Sequence, residues 1–520
     1  MSVRRLGRLA AMVLAILVWM ACGQVYRPVV IPCSVGGVPG CPVETNPTPA
    51  SFHAVFGIST NIANYPGGAM QIDVSGDSIV GETPTNEPSE PNLGDNPTHA
   101  AILPNDSRVF VASAGSALPG GIDVVSSFTP VFQSTLASGL GAVGTIALPT
   151  GSQPVFLNTT QNNVLYVASF GTNSVSAINT NSNAVINTVA VGTNPVALAE
   201  TPNAFKLYVA NQGSNTVTSL NPTDLSQNTV TGFSGVNPVW AVARGDSQKV
   251  YVLTQGDGQL VTIDVATDTV TSSLPVGPGA NFILYDPNLN RLYVPNPATG
   301  TVSVFSDSGG PNDTPSLLAP PLTIPGLSAA TKMPACATCG PVIPVSVTAL
   351  LDGSRFYVAS YQIATTCPDP NVTVSPCLIP SLTVFDANSL TLKYPAASPI
   401  VLLTVPPFAV TPANQYQYAV PPVTSCGPVP PVFSASYSPS TTRFRVFTTA
   451  SEDSSRVYVS MCDAGAVAVI NTTDSNTNNT GGALPPDSLV TDLPTAYSAA
   501  AAPPNGEPPL QNPIFLLMGQ

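Results

Sequence analysis

The side chains whose spacing most suggests chemistry are nine cysteines, at positions 22, 33, 41, 336, 339, 367, 377, 426 and 462. Cys336-Ala-Thr-Cys339 has the spacing used for thiol–disulfide exchange, zinc binding or haem attachment. Haem attachment needs a histidine in the next position, where Gly340 stands. Zinc wants a second ligand pair and redox exchange wants a thioredoxin-like context, so a structural disulfide is the expectation. Histidine is scarce: His53 and His99 cannot assemble a His-rich metal site. A base or ligand role is conceivable for His99, in Asn96-Pro97-Thr98-His99, but a hydrogen-bonded packing role is expected. No nucleophile elbow accompanies any serine. Asp73, Asp123 and Asp264 sit at the ends of short apolar runs, where a carboxylate satisfies turn amides more readily than it binds calcium. No catalytic residue, cofactor-binding residue or metal ligand is assigned.

The elements that must carry these residues are short. Charged residues make up 8% of the 520 and apolar ones 43%, which fits a packed core and excludes a solvated disordered chain. With 56 Pro and 40 Gly, many short strands joined by turns are expected rather than long helices. The net charge of −13, from 28 acidic and 15 basic residues, argues against nucleic acid as a partner.

Three of those basic residues, Arg4, Arg5 and Arg8, precede an apolar run from Leu9 to Met20 that is too short to span a bilayer. This is the pattern of an export signal. Trp19-Met20-Ala21-Cys22-Gly23 resembles the lipobox of bacterial lipoproteins, with Trp19 where leucine is usual. The resemblance implies that residues 1–21 are a signal peptide and that Cys22 is acylated, anchoring the chain to the bacterial cell envelope. The alternative is an ordinary secretory signal followed by a disulfide cysteine. Residues 22–52, rich in Pro, Gly and Val, read as a tether.

Setting Cys22 aside leaves eight cysteines, an even number in an exported chain, which points to disulfides. Sequence proximity favours Cys33 with Cys41, Cys336 with Cys339, Cys367 with Cys377, and Cys426 with Cys462. Eight cysteines allow about 105 connectivities, so proximity gives a preference only.

One phrase recurs through the rest of the chain. It reads Arg108-Val-Phe-Val-Ala-Ser, Val164-Leu-Tyr-Val-Ala-Ser, Lys206-Leu-Tyr-Val-Ala-Asn, Lys249-Val-Tyr-Val-Leu-Thr, Arg291-Leu-Tyr-Val-Pro-Asn, Arg355-Phe-Tyr-Val-Ala-Ser and Arg456-Val-Tyr-Val-Ser-Met. Its aromatics at 110, 166, 208, 251, 293, 357 and 458 are separated by 56, 42, 43, 42, 64 and 101 residues. A base period near 42 matches a four-stranded propeller blade. The β-branched and aromatic content with Gly/Asn turns opposes helix pairs. Tyr-Val-Ala-Asn at 208–211 and its near copies resemble the YVTN family of β-propeller repeats of bacterial and archaeal envelope proteins. The expected fold is therefore an all-β propeller over 53–520, with eight third strands favouring eight blades and seven as the alternative.

Segments Ala496–Ala502 and Pro513–Met518 read as first and second strands that pair with orphan strands near 69–83 to close the ring. First strands such as Val196-Ala-Leu-Ala predict a small, apolar axis, and the basic residues two positions before six of the aromatics, Arg108, Lys206, Lys249, Arg291, Arg355 and Arg456, are expected to be architectural and to pair with acidic turn residues such as Asp106, Asp246 or Asp352.

Insertions at 306–341, 361–380 and 396–442 fall in loops that share one face of such a ring, together with six of the cysteines. The reading is a lipid-anchored, monomeric scaffold whose loops bind an envelope protein or glycan. The alternatives are a channel-site enzyme such as a lactonase or lyase, and a purely structural envelope component.

Overall fold

The computed structural model describes residues 54–60, 67–74, 77–84, 97–104, 107–114, 124–130, 140–159, 163–307, 310, 313–330, 335–368, 377–394, 399–402, 426, 443–473, 476–477, 483–495 and 512–519. The signal segment, Cys22, the tether, Cys33, Cys41, His53, Asp106, Asp123 and Ala496–Ala502 lie outside them.

Among the described residues, eight antiparallel sheets of four or five strands follow one another along the chain. Blade 2 is built from Pro97–Ile102, Val109–Ser113, Val124–Pro130 and Leu140–Ala147, innermost strand first. Blade 3 starts at Pro154–Thr159, blade 4 at Pro195–Glu200, blade 5 at Pro238–Ala243, blade 6 at Leu284–Asp286, blade 7 at Ile343–Ala349 and blade 8 at Val446–Ala450. Innermost strands neighbour one another in a closed circuit, so the chain is an eight-bladed β-propeller. Burial follows from this stacking. The second strand of blade 4, Leu207–Asn211, is buried throughout, while the outermost strand of blade 3, Ala184–Ala190, is mostly exposed. Tyr208, with no exposed surface, packs with Val250 and Val252 of blade 5. Leu207 joins the cluster holding Tyr166 of blade 3, so the two side chains serve opposite neighbours.

Blade 1 combines both ends of the described chain: Asn512–Met518 is its innermost strand, followed outward by Ala54–Thr60, Gly68–Asp73 and Ser78–Pro84. The expected ring closure is present, with one correction. Pro513–Met518 is the first strand rather than the second, because Ala54–Thr60 pairs with it from Val55↔Met518 to Thr60↔Asn512 and fills the second position itself.

The recurrent basic residues are architectural, but their acceptors are not the acidic residues expected. Asp246 pairs with Arg244 two residues away, and Asp352 accepts the Ser354 N–H. Lys249 stays within its blade, paired with Asp264 at 3.3 Å, but in other blades the basic residue and tyrosine of the second strand reach across to the turn between the third and fourth strands of the next blade. Lys206 Nζ and Tyr208 Oη both donate to Asp268 at 2.6 Å. Arg355 and Tyr357 donate to Asp487 in the same way, at 3.0 and 2.5 Å. Arg456 of blade 8 makes a two-pronged bond to Asp77 of blade 1, at 2.8 and 3.0 Å, across the seam where the ring closes. Asp77, Asp268 and Asp487 all have φ between 45° and 54°. The left-handed turn suits Asp and aims its carboxylate back at the preceding blade. Where the turn carries no acid, carbonyls and an amide substitute: Arg108 donates to Thr180 O and Asn183 Oδ1, and Arg291 to Ala387 O.

Candidate functional site

The innermost strands position the centre of the molecule. Those of blades 2, 3, 4, 5 and 7 begin with proline, or with proline second, followed by a shift in register: Pro97/His99, Pro154/Phe156, Pro195/Ala197, Pro238/Trp240 and Pro344/Ser346. Proline lacks a ladder donor and is tolerated at a strand's start or a bulge. The bulge re-aims the side chain that follows it. In blades 2, 3 and 5 that side chain is His99, Phe156 or Trp240, and all three converge on the axis.

There they meet Phe515 of blade 1, Phe282 ahead of blade 6, and Phe444 and Phe447 of blade 8. His99 stacks on Phe156 at 4.0 Å between ring centres and lies 4.5 Å from Phe515. Trp240 meets Phe156 at 5.3 Å, Phe282 at 5.0 Å and Phe444 at 5.7 Å, edge to face. Phe447 contacts Phe444, Phe282 and Phe515. Apart from the closer His99–Phe156 stack, these separations fall in the favourable range for aromatic pairs. The axis is therefore apolar, as expected, but not small at this end: it is plugged by rings from six blades. Ala197, the small residue at the same position of blade 4, leaves space that Arg443 crosses. Its guanidinium lies 5.0 Å from the centre of the Trp240 ring, and Nη2 donates to Val196 O at 2.9 Å. Arg443 thus ties the entry of blade 8 to blade 4, on the opposite side of the ring.

His99 has the packing role expected of it. It is buried, and its Nδ1 accepts the Leu157 N–H at 3.2 Å. Burial first, and the Arg443 charge second, lower its pKa to about 3, so the ring is neutral at physiological pH. Asp264 likewise accepts the Thr267 N–H at 3.0 Å, the turn role expected of it. Among the described residues no group of three His, Cys, Asp or Glu is arranged to hold a metal ion.

Because innermost strands start where second strands end, the plug lies at the same end of the ring as the long loops. Three expected disulfides are formed there: Cys336–Cys339, Cys367–Cys377 and Cys426–Cys462. The first two share an apolar cluster with Leu327 and Ile379. The loop carrying Cys336 and Cys339 is zipped to the extended hairpin Arg355–Ala364/Cys377–Asp386 by Gly340 N–H to Ile363 O at 2.9 Å and Thr338 Oγ1 to Thr366 O at 2.9 Å. The third disulfide braces the plug. Cys462 N–H donates to Arg445 O at 3.0 Å, and buried Arg445 grips Asp463 at 2.7 and 2.9 Å. This clamp fixes the segment that brings Arg443 and Phe444 over the axis.

The spacing of the cysteines made the staples readable; the plug was not foreseen, although a bulky residue two places after the strand-opening proline was a signal available in Pro154-Val-Phe156 and Pro238-Val-Trp240.

No protein-family model matches this sequence, and no curated protein matches it. Solved structures do. Dihydro-heme d1 dehydrogenase NirN aligns with a TM-score of 0.53 and 10% identity, over 92% of this chain and 77% of that one. The periplasmic gluconolactonase PpgL of Pseudomonas aeruginosa gives 0.46 and 12%, over 90% and 99%. Kuenenia stuttgartiensis hydrazine synthase gives 0.42 and 15%, over 68% and 89%. At these identities the likeness to NirN is one of fold, and it agrees with the blade-by-blade topology: this chain is a β-propeller.

Proposed function

We propose that this protein is an exported, lipid-anchored propeller that binds an envelope protein or glycan through its disulfide-stapled face. The observation that carries the reading is the coincidence of two features at one end of the ring. Three disulfides and a zipped hairpin gather there, over an axis filled by stacked aromatics. Stiff loops lose little entropy on binding, and disulfides suit an oxidising compartment outside the cytoplasm. A channel enzyme needs an open axial pocket with polar groups converging in it; here the axis at this end holds rings and one crossing guanidinium. Anchoring through Cys22 rests on the resemblance of Trp19-Met20-Ala21-Cys22 to a lipobox.

The test is affinity capture from envelope extract with the full chain, against a variant in which 396–442 is replaced by a short turn. Specific partner recovery that disappears in the variant supports the reading. Unchanged recovery, or a stoichiometric metal together with turnover of lactones by the purified protein, overturns it.

A further inference from the structure

The three disulfides on the loop-bearing face differ in what they stabilise and in what can reach them. Cys426–Cys462 is covered at both ends, with the two residues 3% and 0% exposed, and has a sequence separation of 36. Cys336–Cys339 has a separation of 3, so of the three it constrains the unfolded chain least. It is also covered at one end only: Cys336 is 3% exposed, whereas Cys339 is partly exposed and Ala337 and Thr338 between them are exposed. Cys367–Cys377 is intermediate, with a separation of 10, Cys367 partly exposed and Cys377 buried.

The short bridge is not what holds its loop in place. Cys336 N–H donates to Ser328 O at 2.8 Å. Gly340 N–H donates to Ile363 O at 2.9 Å, and Gly340 O accepts from Gln362 Nε2 at 2.8 Å. Thr338 is tied three times to the end of the extended hairpin: Oγ1 donates to Thr366 O at 2.9 Å and accepts the Thr366 N–H at 3.2 Å, and its carbonyl accepts the Thr365 N–H at 3.3 Å. Cys339 is bridged to Ala364, which pairs on its other side with Cys377. Residues opposed in a ladder point to one face, so Cys339 and Cys377 flank the Ala364 methyl group within one apolar cluster. Both ends of the short bridge are thus positioned by bonds that do not involve sulfur. Opening it leaves two thiols side by side, in place to close again.

A bridge that adds little stability, offers one sulfur to solvent and sits in a frame that survives its loss has the properties of an exchangeable disulfide. We propose that Cys336–Cys339 is a thiol–disulfide exchange site whose partner is a protein dithiol, with Cys339 the sulfur attacked. A thiolate of the dithiol attacks Cys339 Sγ. The Sγ–Sγ bond breaks, Cys336 leaves as a thiolate and takes up the proton, and a mixed disulfide joins Cys339 to the partner. The partner's second thiol then attacks its own sulfur in that bond, which releases Cys339 as a thiol and leaves the partner oxidised. This chain gains two electrons and two protons, and the reverse sequence restores the bridge. The disulfide expected from the spacing is formed; exchange is a further property of it, independent of what the loops bind and of any lipid anchor.

The test uses the full chain and reads each cysteine separately. Oxidised protein is equilibrated in dithiothreitol buffers of graded thiol-to-disulfide ratio, free thiols are blocked with iodoacetamide, and the blocked positions are quantified by peptide mass spectrometry. Cys336 and Cys339 should be half-reduced at a ratio about tenfold or more milder than Cys426 and Cys462, equivalent to about 30 mV. Far-ultraviolet circular dichroism should be unchanged at that point. In a second arm, Cys336→Ser offered oxidised glutathione should form the mixed disulfide at Cys339 about tenfold or more faster than Cys339→Ser forms it at Cys336, because exposure sets access to the sulfur. A smaller separation between the two bridges, a loss of circular dichroism when the short one opens, or faster capture at Cys336 overturns the proposal. The first arm needs no variant to fold.

Discussion

Removing the Asp77 carboxylate should be among the most damaging single changes available. Arg456 has no exposed surface, and its partner Asp77 is buried beside it. Two bonds of 2.8 and 3.0 Å join them across the seam between the last blade and the first, and Arg456 Nη1 adds bonds to Ser455 O and Asn471 Oδ1. Asp77→Ala leaves a guanidinium buried without its counter-charge, which costs about 3–5 kcal/mol in comparable cases. The pair itself is worth much less than that, because both ions were taken out of water to form it. The double variant Asp77→Leu/Arg456→Met should therefore recover most of the loss. Urea unfolding followed by circular dichroism and by Trp240 fluorescence measures both. The exposed pair Lys393–Asp386 is the internal control, since breaking it should lie within experimental error. If Asp77→Ala costs under about 1 kcal/mol, or if the double variant is no better than the single one, the argument that buried charge at the seam holds the ring is wrong.

Other outcomes follow from the same physical reasoning. Asp492 is half-buried, its two carboxylate oxygens are shielded and have no hydrogen-bond partner among the described residues, and desolvation raises its pKa from 3.8 to about 7. A carboxyl group whose folded pKa is raised stabilises the fold fully below its unfolded pKa, and that contribution is lost as pH climbs from about 4 to about 7. Asp492→Asn should flatten this part of the stability–pH profile measured by thermal melting, and a profile unchanged from wild type would refute it. Breaking Cys426–Cys462, at a sequence separation of 36, should cost about 4 kcal/mol on the loop-entropy account, against under about 2 for Cys336–Cys339 at a separation of 3, as read by unfolding of the two Cys→Ser pairs. His99→Phe should preserve the ring stack but strand the Leu157 N–H, for a loss of about 1–3 kcal/mol in the same assay. Cys22→Ser should move the protein from the detergent phase to the aqueous phase in phase partitioning; no change would sink the lipid-anchor reading.

What the sequence made legible depended on distance along the chain. Second strands announce themselves because Tyr208 and its counterparts must be buried on both faces, so the phrase around them repeats. Disulfides between cysteines 3, 10 and 36 residues apart were readable from proximity. The latches were not, since Arg456 finds Asp77 at a separation of 379 residues and proximity pointed to the wrong acids. The plug was hidden for a different reason. Its rings come from six blades, five of them at single positions within strands, while Phe444 and Phe282 lie just ahead of strands. No local pattern records that they meet.

The clasp formed by Asn512–Met518 on Ala54–Thr60 sets an order of events. Blades 2 to 8 are each assembled from neighbouring segments, so their contacts close short loops; the first blade must wait for a strand supplied from the far end of the chain, a far slower encounter. Until it arrives, residues 54–60 present an unpaired, apolar edge that any other extended peptide could occupy. The seam is thus the place where a nascent copy is most open to swapping with its sibling, and where a chaperone would have most to gain by holding on.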